Sequence, residues 1–149
     1  DDEIVVGLNQ PIHHDDFEYV VTDFKVEKQI GTGEVALAAK GKFYIVNFKT
    51  INNAKRVQHE WNNSIAFLTD ELGNTYENDL VAQQALEKME PFGWQEKYVT
   101  EHQTEQSTRF VFQVPESIKQ PYLKVRGFTL MGDFFDGNQF EKTKVKLFN

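Results

Sequence analysis

The feature that most constrains the fold of this chain is an alternation of apolar and polar residues with a period of two. Successive side chains of an extended strand point to opposite sides, so this pattern predicts strands with one buried face. Phe17, Tyr19 and Val21 share one such face, whereas Phe24 and Val26 continue it in the opposite phase. A β-bulge between the two stretches would let both face the same core.

Three further segments are predicted as strands. Residues 42–50 are apolar on both faces at their start, which is typical of a central, buried strand. Residues 65–76 form a predicted hairpin, in which Asp70 caps the turn and Gly73 takes a positive φ. Residues 109–114 alternate up to Pro115, which lacks an N–H and should end the strand. The side chains expected in the core are those of Phe48, Phe67, Phe110, Phe112 and Val114.

One segment, residues 79–89, follows a helical period instead. Its apolar positions recur at i, i+1, i+4, i+5 and i+8, which places them on one stripe of a short α-helix. Asn78 or Asp79 can cap its N-terminus, and Pro91 and Gly93 follow its end. The stripe consists of Val81, Ala82, Ala85, Leu86 and Met89. Short strands with one inserted helix favour a mainly β fold, a β-sandwich, with a closed barrel as the alternative that periodicity leaves open.

Composition excludes several classes of function. The 149 residues suit a single domain, and no linker or repeat divides 1–149. The formal net charge of −7 opposes binding to a phosphate backbone, so we expect no nucleic-acid partner. No apolar run reaches the roughly 18 residues of a membrane span. The absence of cysteine excludes disulfides, thiolate metal sites and thiol nucleophiles.

The C-terminal tail, residues 127–149, is interpreted as an added hairpin. A turn signal at 136–138 precedes an alternation in which Thr143, Val145 and Leu147 face one way. The opposite face carries Lys142, Lys144 and Lys146. Two interpretations stay open for these lysines: they protect an edge strand from unwanted pairing, or they recognise an anionic partner. Phe134 and Phe135, beside the turn, are either tucked under the sandwich or exposed as a contact patch.

Other chemistry-bearing residues give weaker signals. His13, His14, Asp15 and Asp16 offer two ligands on each side of an extended chain, fewer than zinc requires, and residues 133–138 lack the spacing of a calcium loop. We therefore expect no metal and no cofactor. The glutamates at 87, 90, 96, 101 and 105 are interpreted as a solvated acidic face, and Trp61 and Trp94 as packing residues. No serine lies in a nucleophile motif, so no catalytic residue is assigned.

Four segments together resemble a known family. They are residues 41–48 followed by Asn52 and Asn53, then 67–76, 110–115 and 122–125. Their order is similar to the domain of unknown function 4352 family, with its patterns L-x-D-x-x-G-x-x-Y and F-x-V-P. The Pro-Gly turn of that family is replaced here by residues 101–106. The resemblance implies an immunoglobulin-like β-sandwich similar to secreted immunoprotective extracellular antigens, found in exported bacterial proteins and lipoproteins, without accepted catalytic residues.

These observations lead to one main functional hypothesis and two alternatives. The main hypothesis is a non-catalytic extracellular or cell-surface binding module, not an enzyme, whose partner is a protein or an anionic cell-surface polymer. A membrane would be contacted only through a removed lipid anchor, and Asp1 as first residue is consistent with a removed leader or with a trimmed chain. The alternatives are a hydrolase with an unrecognised carboxylate site and a nucleic-acid binder.

Overall fold

The computed structural model of the chain describes residues 3–126 and 142–149. Within them the chain forms eleven strands, one α-helix and a short 3-10 turn at Gly33–Val35. The strands are β1 (Ile4–Val6), β2 (Ile12–His14), β3 (Phe17–Ile30), β4 (Leu37–Asn52), β5 (His59–Asn62), β6 (Ala66–Thr69), β7 (Thr75–Tyr76), β8 (Lys97–Thr100), β9 (Thr104–Val114), β10 (Tyr122–Val125) and β11 (Thr143–Lys146), and the helix α1 spans Leu80–Met89.

One layer of the fold is an antiparallel four-stranded sheet in the order β2-β3-β4-β9. Strand β4 lies inside this sheet, as its apolar sequence predicts, and it is buried on both faces. Tyr44, Val46 and Phe48 point into the core between the sheets, whereas Phe43 and Ile45 point to the opposite side. Strand β9 ends at Val114, directly before the proline that was expected to end it.

The second layer is a five-stranded sheet in the order β1-β11-β10-β6-β7. Its strands β10 and β11 pair antiparallel, as expected of a hairpin, but β11 also pairs in parallel with β1 from the opposite end of the chain. Strand β11 is therefore an inner strand, and its interpretation as an edge strand is wrong. A third, two-stranded sheet joins β5 to β8. In the described part of the chain these sheets do not close into a barrel, and the predicted β-sandwich is confirmed.

The core between the two larger sheets is rich in aromatic side chains. Phe48 and Phe110 lie with ring centroids 5.3 Å apart, and Trp61 stacks on Tyr98 at 4.1 Å. The packing role predicted for Trp61 is confirmed, since it is 3% exposed. The prediction for Phe67 is wrong. Its neighbours in β6 point inward, so Phe67 lies half-buried on the outer face of the five-stranded sheet.

The predicted bulge in β3 is confirmed, because the pairing of β3 with β4 shifts register between Val21 and Asp23. Phe24, after the bulge, packs against the core. Val26 does not share that environment: it is 43% exposed, within a stretch of β3 that is exposed from Lys25 to Gln29. The bulge thus returns a single aromatic residue to the core rather than the whole of the second stretch.

The helix α1 covers the outer face of the four-stranded sheet. Asp79 caps it by accepting a hydrogen bond from the Ala82 N–H at 3.1 Å, which confirms one of the two predicted caps. Leu86 and Ala82 pack on the second small core, but Val81, expected on the buried stripe, is 71% exposed. The helix is rotated about its axis relative to the predicted stripe, so that the polar residue Gln83 is fully buried instead.

Gln83 closes the free edge of β9. Its side-chain amide donates to the Arg109 carbonyl and accepts from the Val111 N–H, both at 2.8 Å. Asn78 donates to the Gln83 side-chain oxygen at 2.8 Å and to the Val111 carbonyl at 3.0 Å. These amides satisfy backbone groups that an additional strand would otherwise pair, so the edge is protected without a neighbouring strand.

The hairpin β6-β7 shows why the spacing L-x-D-x-x-G-x-x-Y suits this turn. Asp70 accepts hydrogen bonds from the backbone of Leu72 and Asn74 at 2.9 and 3.0 Å, and from the Tyr76 hydroxyl at 2.8 Å. Gly73 takes the predicted positive φ, 86°. Although burial opposes ionisation, these hydrogen bonds prevail and lower the pKa of Asp70. The acidic residue and the tyrosine therefore fix the turn and need no catalytic explanation.

Candidate functional site: a basic aromatic face on the five-stranded sheet

The outer face of the five-stranded sheet combines basic and aromatic side chains from three strands and the segments beside them. On β11, Thr143 and Val145 are buried, so Lys144 and Lys146 lie on the outer side. On β10, Leu123 and Val125 are buried, so Tyr122 and Lys124 lie on the outer side. We call this surface the basic face; its members are Phe67, Tyr122, Lys124, Arg126, Lys144, Lys146 and Phe148.

The cations of the basic face lie over its rings. Lys144 Nζ is 4.1 Å from the ring centroid of Tyr122, and Lys146 Nζ is 5.2 Å from that of Phe148. These two rings touch edge to face, with centroids 5.3 Å apart at 87°. In each contact the ammonium group itself lies over an aromatic ring, whose negative face attracts it. The rings therefore hold the charges in place along the strands.

A third contact of this kind extends the face to β6. The Arg126 guanidinium lies 4.2 Å from the ring centroid of Phe67. The same guanidinium forms a two-point ion pair with Glu77, at 2.7 and 2.9 Å, and donates to the Ser64 carbonyl at 2.6 Å. The two parallel hydrogen bonds to Glu77 fix the plane of the Arg126 guanidinium.

Acidic side chains neutralise the basic face in part. Glu3 pairs with Lys144 at 2.6 Å and lies 4.0 Å from Lys124. The hydrogen bond from Lys144, and then its charge, lower the pKa of Glu3, so this carboxylate stays ionised near neutral pH. Counting Glu77, two carboxylates oppose four cations, in a chain whose formal net charge is −7. The basic face is thus a positive region on an acidic protein.

The structure separates the sequence-predicted site residues into three groups. Lys144 and Lys146 share the outer face, as the alternation indicates. Lys142 is exposed and directly precedes β11. Phe134 and Phe135 lie outside the described residues. The five other members of the face were not predicted. The alternation at 122–126 was the available signal, but the pairing of β10 with β6 does not follow from it.

The histidine-rich segment does not assemble a metal site. His13 Nε2 lies 2.7 Å from a Glu18 carboxylate oxygen in the neighbouring strand, and His14 is buried on the other side of β2. Among residues 3–126 and 142–149, no group of three or more histidine, aspartate or glutamate side chains could hold a metal ion. In the same residues, no helix is long and apolar enough to cross a membrane.

Glu87 departs from the predicted solvated acidic face. Its carboxylate pairs with Arg109 at 2.6 Å and accepts backbone hydrogen bonds from Phe92 at 2.9 Å and Trp94 at 3.3 Å. Burial of Glu87 disfavours its charge, but these donors outweigh burial and lower its pKa. Glu87 therefore anchors the loop after α1, whereas the glutamates at 90, 96, 101 and 105 are exposed as expected.

The fold and this surface define a β-sandwich domain with a basic aromatic face on one sheet. The chain matches the model of the domain of unknown function 4352 over residues 6–133 and belongs to that family. This confirms the resemblance deduced from the four sequence segments. No curated protein shows significant similarity to the chain.

Three solved structures of similar fold, each from a bacterium, illustrate the likeness. The yjhA protein of Bacillus subtilis is 12% identical, with a TM-score of 0.64, and the match covers 95% of this chain and 98% of that one. A conserved hypothetical protein from Bacillus anthracis is 15% identical (TM-score 0.59, covering 80% and 88%). An uncharacterized β-sandwich protein from Clostridium difficile is 14% identical (TM-score 0.57, covering 98% and 95%). At these identities the likeness concerns the fold alone.

Proposed function

We propose that this domain is a non-catalytic binding module that holds an anionic cell-surface polymer on its basic face. The observation that carries the proposal is the row of cations on β10 and β11 (Lys124, Lys144 and Lys146), each on the outer side of an inner pair of strands. A repeating polyanion meets such a row with several charges at once. The proposal places the domain outside the cell, supported by the resemblance to exported proteins.

The position of β11 favours recognition over protection of an edge. Lysines guard a strand whose backbone groups are free to pair with another chain. The backbone of β11 pairs with β1 on one side and β10 on the other, so its lysines have no edge to protect. Ion pairing with Glu3 gives Lys144 a modest structural value, because ion pairs between partly exposed groups contribute about 0–1 kcal/mol.

The rings favour a polymer with non-polar surface as well as charge. Tyr122 and Phe148 are half-buried in the basic face beside its lysines, and they give it apolar surface that sugar rings or other apolar backbone units can contact. An acidic polysaccharide satisfies both requirements. Single-stranded DNA combines charge with flat bases too, and the net charge of −7 opposes both polyanions at long range, so the two polymers are compared directly in the test.

The test is binding to heparin, used as a defined acidic polysaccharide, measured by fluorescence anisotropy or calorimetry over a range of salt concentrations. We expect affinity to fall steeply with salt, since binding releases counterions. The variant Lys124→Gln/Lys144→Gln/Lys146→Gln removes three charges without adding repulsion and should reduce affinity about 100-fold or more, at roughly 1.4 kcal/mol per tenfold step. Single-stranded DNA serves as the comparison polymer.

A matched control is available in Lys40→Gln/Lys55→Gln/Lys97→Gln, which removes three charges from exposed positions off the basic face. This variant should bind heparin as the parent does. Equal losses in both triple variants would show that net charge, not the basic face, governs binding. No salt-dependent affinity of the parent, or tighter binding of DNA than of heparin, would contradict the proposal.

A further inference from the structure

A small cavity of about 170 Å³ lies on the opposite side of the molecule, on the outer face of the four-stranded sheet. Its floor is a row across three neighbouring strands: Asp23 on β3 pairs with Asn47 on β4, which pairs with Arg109 on β9. Phe92, 44% exposed, lies over the Arg109 guanidinium at 5.3 Å. Lys25 and Ile45 complete the lining.

The bulge in β3 positions the first residue of this row. The register shift falls between Val21 and Asp23, so Asp23 is re-aimed relative to the strand before it. Bulges often serve to direct a side chain into a site, and here the redirected group is a carboxylate beside an exposed ammonium group, Lys25. The cavity therefore displays a negative and a positive charge within two residues of one strand.

Arg109 supplies a second positive group that is held but incompletely used. One terminal nitrogen donates to Glu87 at 2.6 Å and also to the Glu90 carbonyl, which fixes the guanidinium at the end of α1. The Nε atom is buried and makes no hydrogen bond within the described part of the chain. This nitrogen is too deeply buried to meet a ligand, but the guanidinium as a whole lines the cavity. A carboxylate in the cavity would therefore lie beside a cation whose position Glu87 already fixes.

We propose that this cavity binds a free α-amino acid. The ligand carboxylate meets Arg109 and Lys25, the α-ammonium group meets Asp23, and Asn47 can donate to the one and accept from the other. Phe92 and Ile45 cover the apolar part of the ligand. The zwitterion is favoured over a simple anion because Asp23 would repel an anion that brings no positive charge of its own.

An adjoining cavity of about 280 Å³ indicates which side chain fits. It shares Lys25 and Ile45 with the first cavity and is lined further by Glu27, Glu90 and the end of α1 at Leu86. The two carboxylates suit a long, cationic ligand side chain. We therefore expect lysine to bind more tightly than alanine, and glutamate to bind most weakly.

The test is a titration of the full chain with L-lysine, L-alanine and L-glutamate, followed by calorimetry and by amide chemical shifts. Nα-acetyl-lysine lacks the α-ammonium group and lysinamide lacks the carboxylate, and each should bind about tenfold more weakly than lysine or worse. Asp23→Asn should weaken lysine binding about tenfold but leave Nα-acetyl-lysine unchanged. Lys25→Met should weaken the binding of lysine, whose carboxylate meets Lys25. It should not weaken the binding of lysinamide, which lacks that carboxylate.

Asp16→Asn and Lys40→Met make the same chemical changes at exposed positions elsewhere and should bind lysine as the parent does. Asp23 and Lys25 are exposed, so the variants Asp23→Asn and Lys25→Met should keep the melting temperature of the parent. Equal melting temperatures would show that a loss of binding is not a loss of folding. The proposal is overturned by absence of amino-acid binding at millimolar concentrations. It is also overturned if both lysine derivatives bind as well as lysine. Neither result bears on heparin binding by the basic face.

Discussion

Protonation of one buried histidine should make the folded domain less stable in mild acid. His59 is 5% exposed, its Nε2 lies 2.7 Å from the Tyr19 hydroxyl, and its ring stacks on Phe17 at 3.9 Å with the planes 8° apart. Burial lowers the pKa of His59 from 6.5 to about 4, and repulsion from the neighbouring His14 adds to the effect. The folded state therefore holds this imidazole in its neutral form.

The direction of the effect on stability follows from the two pKa values. At neutral pH both states carry neutral His59, and its contribution to stability is fully present. Below its ordinary pKa the unfolded chain binds a proton that the folded chain does not, so the free energy of unfolding falls until the pH reaches the folded-state value. With a discount for partial solvent screening, the loss between pH 7 and pH 5 is about 1–2 kcal/mol.

The assay is urea unfolding followed by circular dichroism at pH 7, 6 and 5, with and without His59→Gln. The variant lacks the titrating group, so its free energy of unfolding should fall about 1–2 kcal/mol less over this range than that of the parent. The carboxylates are common to both proteins, and their contribution cancels in the comparison. His102→Gln removes an exposed imidazole and is the matched control.

Identical pH dependence in the parent and His59→Gln would refute this reasoning. A second measurement protects the test if the variant folds poorly: the imidazole protons of His59 in the intact chain should titrate by nuclear magnetic resonance at about pH 4. A midpoint near 6.5 would show that the ring is solvated in solution, and the stacking on Phe17 would not then have the proposed consequence.

Two further predictions concern folding stability, measured by urea unfolding at pH 7. Gln83→Met leaves the Val111 N–H and the Arg109 carbonyl without their side-chain partner, so it should lower the free energy of unfolding by about 2–4 kcal/mol. Gln84→Met, at the exposed next position, should be within about 0.5 kcal/mol of the parent. Equal effects of the two variants would contradict the role of Gln83 at the edge of β9. Phe112→Ala should cost about 3–5 kcal/mol, since the ring is fully buried, and a loss below roughly 1 kcal/mol would contradict its place in the core.

The sequence predicted those parts of the fold that depend on local periodicity. The burial of Phe48 and Phe112, the bulge before Phe24 and the cap at Asp79 all follow from patterns confined to a few residues. Val81 shows where such reasoning fails. Its position fits a helical stripe, but the helix is oriented by Gln83, whose hydrogen bonds to β9 come from residues 26 and 28 positions away.

The candidate site was predicted in part for the same reason. The outward phase of Lys144 and Lys146 is a property of one strand, and it was predicted correctly. Their neighbours on the basic face were not, because Lys124 and Phe67 join them through strand pairings that alternation does not specify. The edge assignment of β11 failed similarly, since its parallel partner, Ile4–Val6, lies at the other end of the chain.

The two sheets use the same alternation to build outer faces of opposite character. On the four-stranded sheet the outward residues Phe43, Ile45 and Val111 are apolar, and α1 packs on them. On the five-stranded sheet the outward positions of β10 and β11 carry Lys124, Lys144 and Lys146, and the ammonium groups of the last two lie over aromatic rings. A solvent-exposed face without a binding role could carry any mixture of polar residues. Glu3 and Glu77 offset part of the repulsion among the cations of the basic face. Under the proposed function, an anionic partner would offset the rest of this repulsion on binding.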